Sequence, residues 1–203
     1  VAVDVGAHVG TLAVPFSRYA GQVIAFEPSK ETFAFLQKNI HLNAANVDAR
    51  NKGLGAAHDR ASSVVVHESS AAANTLMVGA GDIEISTLDE EVPVADFVKI
   101  DVEGMELSVF RGGSRLWRES KPVILFEVNL FALRRNATSV HQLQRFLQEY
   151  GYQIYIPLTH DGRLTLGKVS SLRALAACIA PRSFMFRGPS APFDVIAVPQ
   201  SKV

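Results

Sequence analysis

A chain of 203 residues, 48% hydrophobic and 20% charged, has the composition of one globular domain with a sizeable core. Its 20 basic and 20 acidic residues cancel, which argues against nucleic acid or an anionic membrane as a general partner. A single cysteine, Cys178, excludes an internal disulfide and favours a cytoplasmic setting, and the six scattered histidines offer no HExxH-type zinc spacing.

Val1–Val5 reads as a strand that runs into Gly6-Ala7-His8-Val9-Gly10, after which Thr11–Tyr19 reads as a helix ended by Gly21. Val23–Phe26 is a second strand, closed by Glu27-Pro28. Ser29 suits the N-cap of a helix in which Phe33, Leu36 and Ile40 repeat at helical spacing down to Asn43. Val47–Asn51 is a third strand leading into Lys52-Gly53-Leu54-Gly55. The stretch Ala56–Gly81 is rich in Ala, Ser and Gly and reads as an excursion of short strands and loops, before a further strand at Ile83–Ser86.

Phe97–Val102 is a buried strand followed by Gly104 and a helix near Met105–Phe110. Val123–Val128 is another strand, and Val140, Leu143, Phe146 and Leu147 mark an amphipathic helix stopping at Gly151. Tyr152–Pro157 and Phe193–Val198 are late strands, with Asp161-Gly162 a hairpin turn between Ile156 and Leu166. Repeated strand-helix alternation predicts an α/β fold with a doubly wound, mostly parallel sheet. No full-length helix separates the last two strands, so they are expected to close the sheet antiparallel. No linker divides the chain, which is read as a single domain over residues 1–203. Its longest apolar run near the C-terminus, Ala174–Ala180, is too short to cross a bilayer, and no leader precedes the first strand.

Four constellations carry chemistry. In Asp4-Val5-Gly6-Ala7-His8-Val9-Gly10 the pattern is DxGxxxG rather than the GxGxxG of a dinucleotide turn. An acid at the first position repels a pyrophosphate and suits a ligand with an ammonium group, such as S-adenosylmethionine; the bland reading is a tight strand-helix turn with no ligand. Glu27 stands 21 residues after Gly6 at the end of the second strand, where a carboxylate can accept both ribose hydroxyls. Its bland reading is a dipole partner for the helix that starts near Ser29.

In Lys99-Ile100-Asp101-Val102-Glu103-Gly104 the alternate residues project together, placing Asp101 and Glu103 at a strand's carboxyl end, where they can orient or deprotonate a hydroxyl. Against this, Glu103 could cap the next helix, and Lys99 reads best as a structural partner for Asp101 or Asp4. In Phe126-Glu127-Val128-Asn129, Glu127 and Asn129 share a face and add oxygens to the same edge if the two strands are neighbours. That edge could bind sugar hydroxyls, supply a base, or coordinate Mg2+, although polar contacts with a substrate explain the residues without a metal. Arg111, Arg115 and Arg118 read as a solvated helix face, and Asn136-Ala137-Thr138 as a chance glycosylation triplet.

These residues resemble the FkbM family of S-adenosylmethionine-dependent methyltransferases. The resemblance lies in Val3–Gly10, Ala25-Phe26-Glu27-Pro28-Ser29, Ser86-Thr87-Leu88-Asp89, Phe97–Gly104 and Phe126-Glu127-Val128, and covers roughly residues 1 to 130. It implies a seven-stranded sheet with an antiparallel last strand and methyl transfer to a hydroxyl, often on a sugar or polyketide-type natural product. By resemblance, Asp4, Gly6 and Gly10 lie along the methionine part of the cofactor, Glu27 holds its ribose, and Asp101 and Glu103 face the methyl group and the acceptor.

The resulting cofactor set is Asp4, Gly6, Ala7, His8, Gly10, Glu27, Pro28 and Asp101. The catalytic set is Asp101, Glu103 and Glu127, with no metal-ligand set. The chain departs from the family pattern at His8, where asparagine is usual, and Asn51–Gly55 lacks the acid that holds adenine in many other methyltransferases. Helices that often roof the site ahead of the first strand are not seen, and the last 70 residues are read as carrying specificity.

The preferred function is therefore O-methylation of a small-molecule hydroxyl. Methylation of nitrogen would favour an Asn/Asp-Pro-Pro-aromatic segment where Asp101-Val102-Glu103-Gly104 stands. A nicotinamide-dependent oxidoreductase is the alternative enzyme, but GxGxxG and a Tyr-x-x-x-Lys pair are missing. A non-catalytic S-adenosylmethionine-binding or scaffold protein would have no need of the edge carboxylates.

Overall fold

The computed structural model describes residues 1–65, 74–79, 81–160, 163–176 and 192–203. In chain order the first half comprises β1 (Ala2–Val5), α1 (Ala13–Phe16), β2 (Val23–Phe26), α2 (Lys30–Leu42) and β3 (Val47–Arg50), then β4 (Gly53–Gly55), β5 (Asp59–Val65), β6 (Asn74–Val78), β7 (Ile83–Thr87) and α3 (Leu88–Glu91). The second half comprises β8 (Phe97–Ile100), α4 (Glu106–Gly112), α5 (Ser114–Glu119), β9 (Val123–Val128), α6 (Leu130–Arg135) and α7 (Val140–Glu149), followed by β10 (Tyr152–His160), β11 (Arg163–Val169) and β12 (Phe193–Pro199).

The main sheet has the order β11-β10-β12-β9-β8-β1-β2-β3. From β3 to β9 the pairings are parallel, and β12 is antiparallel to both β9 and β10. β1 and β2 are buried along their whole length, which is why their sequences are nearly continuous apolar runs. The strand order turns outward on either side at β1 and β8, so the carboxyl ends of those strands open onto a crevice. The doubly wound sheet and its antiparallel last strand are as expected. An eighth strand, β11, extends the edge by pairing antiparallel with β10 from Ile154↔Val169 to His160↔Arg163. Asp161-Gly162 lies outside the described residues, as do Cys178 and the end of the Ala174–Ala180 run. The excursion after β4 forms a second sheet of order β4-β7-β5-β6.

Local sequence explains most boundaries. Ser29 caps α2 by accepting from Thr32 N, and Ser139 with Gln142 forms a reciprocal capping box on α7. The helix expected over Thr11–Tyr19 contracts to four residues, Ala13–Phe16. Pro15 supplies no donor, and the chain tightens beyond it into Arg18 N→Pro15 O and Tyr19 N→Phe16 O bonds of the three-residue type. The strand expected to reach Val102 stops at Ile100. Asp101 N still bonds Val5 O at 3.0 Å, but Glu103 and Gly104 then adopt φ of +52° and +99°. The helix expected near Met105–Phe110 is α4; a second helix, α5, follows directly after Gly113, where a Cβ would press on the Trp117 indole at 2.7 Å.

Two sequence features prove structural. Thr87 caps α3, and the Asp89 carboxylate accepts from Arg115 N at 2.7 Å and Leu116 N at 2.8 Å, capping α5. Arg115 is no solvated residue: its guanidinium donates to the Asp89, Val92 and Pro93 carbonyls. Beneath the sheet, Phe110 packs edge-on against Trp117 and Phe126 and stacks on Phe146, and Trp117 Nε1 donates to Phe110 O at 2.6 Å.

Candidate active site

A cavity of about 480 Å³ lies over the carboxyl ends of β2, β1, β8 and β9. Asp4, Gly6, Ala7, His8, Glu27, Pro28, Asp101, Glu103 and Glu127 all line it. Gly10 does not. Its N–H closes the turn on Ala7 O, and a Cβ there would press into Leu36 at 2.8 Å, so it serves the packing of the turn on α2. Asn129 also stands apart from the cavity: its side chain caps α6 by accepting from Ala132 N at 3.1 Å.

The glycine turn is tied to the second strand. Glu27 Oε2 accepts from His8 N and Oε1 from Ser29 N, each at 2.9 Å. One carboxylate thus joins the turn to the start of α2, and its structural role coexists with a place on the cavity wall. Burial raises its pKa, opposed by those two N–H groups. His8 holds φ +51°, a conformation that asparagine adopts more readily than most residues, which gives a backbone reason for the asparagine usual there.

Asp4 is fully buried, and burial raises its pKa against the attraction of Lys99. Lys99 Nζ donates to Gly6 O at 2.8 Å and sits 3.1 Å from Asp4 Oδ1 and 3.6 Å from Asp101 Oδ2. The ammonium that Asp4 was expected to meet in a ligand is thus already present in the protein, and Lys99 takes the structural role expected of it.

The end of the cavity at β8 and β9 is acidic. Asp101, Glu103 and Glu127 share it, although the left-handed backbone at Glu103 replaces simple strand alternation. Burial pushes Glu127 up to about 8, reinforced by Asp101, Glu103, Asp194 and Glu106. Asp194 is the cross-strand partner of Glu127, and its own pKa is raised by burial and Asp101. Buried Glu106, pushed up to about 7 chiefly by burial, accepts from Gly104 N at 3.0 Å. Sequence reading missed the charges that Asp194 and Glu106 set behind this edge and the far wall of Lys52, Gly53, Leu54, Leu76 and Ile83; the glycine-leucine-glycine of β4 was the one visible signal for that wall. Among the described residues no three histidine, cysteine or carboxylate groups form a metal-binding cluster.

The raised groups have a thermodynamic consequence. A carboxyl whose folded pKa exceeds its unfolded one contributes stability that is full below the ordinary glutamate pKa and lost as pH rises through the folded value. Stability is therefore expected to fall between about pH 5 and pH 8, the window set by Glu106 and Glu127. Urea titrations across that range should show a shallower fall in Glu127→Gln; identical pH slopes would contradict the raised pKa.

Over 118 residues the chain is 37% identical to the hexuronic acid methyltransferase AglP of Haloferax volcanii, covering 54% of this chain and 48% of that protein. It is 27% identical to Methyltransferase 1 of Beauveria bassiana over 142 residues, or 54% and 57% of the two chains. The chain thus spans about half the length of these relatives. Among solved structures, an FkbM methyltransferase from Methylobacillus flagellatus aligns with a TM-score of 0.55 at 19% identity, covering 83% of this chain and 43% of that one. Magnesium protoporphyrin IX methyltransferase from Synechocystis, solved with bound S-adenosylmethionine, aligns at 0.50 and 12% identity, over 98% and 69%. No described helix is long and apolar enough to cross a membrane. The methyltransferase FkbM domain model matches residues 4–154, so that the glycine turn, the Glu27 strand and the acidic edge all fall within it, and the chain belongs to the FkbM methyltransferase family.

Proposed function

We propose that the cavity holds S-adenosylmethionine and that its acidic end directs the methyl group onto a hydroxyl of a sugar or another polyhydroxylated small molecule. The observation that carries this reading is one continuous cavity running from Glu27, past the Gly6 turn, to Asp101, Glu103 and Glu127. Each Glu27 oxygen accepts one backbone N–H and retains a lone pair, which suits a ribose diol. The apolar wall of Leu54, Leu76 and Ile83 suits an uncharged aromatic base, and a Cβ on Gly53 would press against Ile85 and Leu76 at 2.5 and 3.0 Å. The cofactor supplies an electrophilic methyl group on a sulfonium.

The protein's contribution is alignment and proton removal. Asp101 or Glu103 accepts the proton of the acceptor hydroxyl. Glu127, pushed up to about 8, is mostly neutral at pH 7 and donates a hydrogen bond to a second acceptor oxygen. The name of the Haloferax relative, which acts on a hexuronic acid, supports a sugar acceptor.

S-adenosylhomocysteine is expected to bind in the micromolar range, about 8 kcal/mol, and to displace NAD. Calorimetry showing NAD binding without S-adenosylhomocysteine binding would refute the cofactor assignment. Glu27→Ala should weaken S-adenosylhomocysteine by about 1–3 kcal/mol, because ribose hydroxyls lose a buried acceptor. Unchanged affinity in a folded variant would confine Glu27 to tying the turn to α2.

A further inference from the structure

Glu103 and Gly104 form a two-residue left-handed turn at the acceptor end of the cavity, with φ of +52° and +99°. That conformation is costly for glutamate, which carries a Cβ. The side chain gains nothing visible in exchange: among the described residues its carboxylate has no hydrogen-bond or ion-pair partner, and it is half-buried beside Asp101. The backbone, by contrast, is held from three directions. Asn136 Nδ2 donates to Glu103 O at 3.2 Å and Arg135 Nη2 to the same oxygen at 3.3 Å. Glu106 Oε1 accepts from Gly104 N at 3.0 Å. A Cβ on Gly104 would overlap the Ala132 carbonyl, so the turn lies directly on α6.

We propose that Asn136 and Glu106 are positioning residues that hold this turn left-handed and so direct the Glu103 carboxylate into the cavity. The proposal rests on the methyl-transfer reading, in which Glu103 meets the acceptor hydroxyl. Glu106 is almost fully buried at the start of α4, and Asn136 is the C-cap of α6, so the two grip the turn from opposite helices. Asn136 also donates to Ala132 O at 3.0 Å, which fixes its amide against the end of α6. Neither residue reaches the cavity wall, so each acts through Glu103.

Carboxyl-carbon NMR on the full chain tests this, with the Glu103 signal identified by its loss in Glu103→Gln. In the wild type Glu103 should titrate above the ordinary glutamate range, raised by burial and Asp101 and opposed by Arg135, with Glu127 facing the same edge. In Asn136→Ala and Glu106→Ala the carboxylate is freed into water, and its midpoint should fall back toward the ordinary glutamate range. Glu106→Gln keeps the acceptor oxygen and should keep the wild-type midpoint. S-adenosylhomocysteine affinity should stay within about twofold in all of these variants. An unchanged midpoint in Asn136→Ala, or equal falls in Glu106→Gln and Glu106→Ala, overturns the proposal. If Glu106→Ala does not fold, Asn136→Ala decides by itself. The titration needs no cofactor, so failure of the wild type to bind S-adenosylhomocysteine refutes the methyltransferase reading separately.

Discussion

Replacing Glu103 with glutamine is expected to lower methyl transfer by about 10²–10⁴ while leaving S-adenosylhomocysteine affinity close to that of the wild type. The amide preserves shape but cannot take a proton, and the Glu103 side chain has no partner among the described residues whose loss would confuse the result. Asp101→Asn should cause a loss of the same order, with a larger side effect, because Asp101 Oδ2 lies 3.6 Å from Lys99 and belongs to the ion pair beneath the glycine turn. The assay first needs an acceptor, drawn from a panel of sugars and polyketide-like hydroxyl compounds. With one active acceptor in hand, near-normal turnover by both variants would remove Asp101 and Glu103 as the base and leave Glu127. Chelator sensitivity reversed by added Mg2+ would instead point to metal-assisted transfer.

Lys99→Met should be the most destabilising exchange at the site. It leaves Asp4, fully buried, without its compensating charge, and it also removes the donor to Gly6 O. Breaking one side of a buried pair costs about 3–5 kcal/mol, which for a chain of this size lowers Tm by on the order of 10 °C. Adding Asp4→Asn in the same chain removes the stranded charge and should recover much of the loss. A Tm unchanged in Lys99→Met would mean that Asp4 is accommodated by its neighbours in neutral form, and that the ion pair contributes little to folding.

The sheet was legible in the sequence because its central strands are buried on both faces, so Val1–Val5, Val23–Phe26 and Phe97–Val102 show as mostly apolar runs, although the last of these strands ends at Ile100. The end of the cavity at Gly6 and Glu27 was legible for the same reason: both sit at strand ends, where spacing fixes position. The acidic end was less so. Alternation along Lys99–Glu103 assumes an extended backbone, whereas Glu103 takes a positive φ and its carbonyl is held by Asn136, 33 residues away. Asp194 acts on Glu127 only because β12 inserts antiparallel beside β9, a register that depends on the whole sheet. Asn129 shares a face with Glu127 by counting, yet the start of α6 claims its side chain. Arg115 looked free because carbonyl acceptors on a different element leave no trace in the sequence.

Gly6 is fixed by the sheet as well as by the turn it belongs to. At φ +76°, a Cβ there would overlap the backbone carbonyl of Asp101. The obstacle is therefore another part of the main chain, 95 residues further on, and the exclusion holds whatever occupies the cavity. A descendant of this protein that had abandoned its ligand would still be confined to glycine at position 6 for as long as β1 and β8 remained neighbours. In comparing such descendants, the informative losses would be at Glu103 and Glu127, whose carboxylates make no hydrogen bond or ion pair among the described residues.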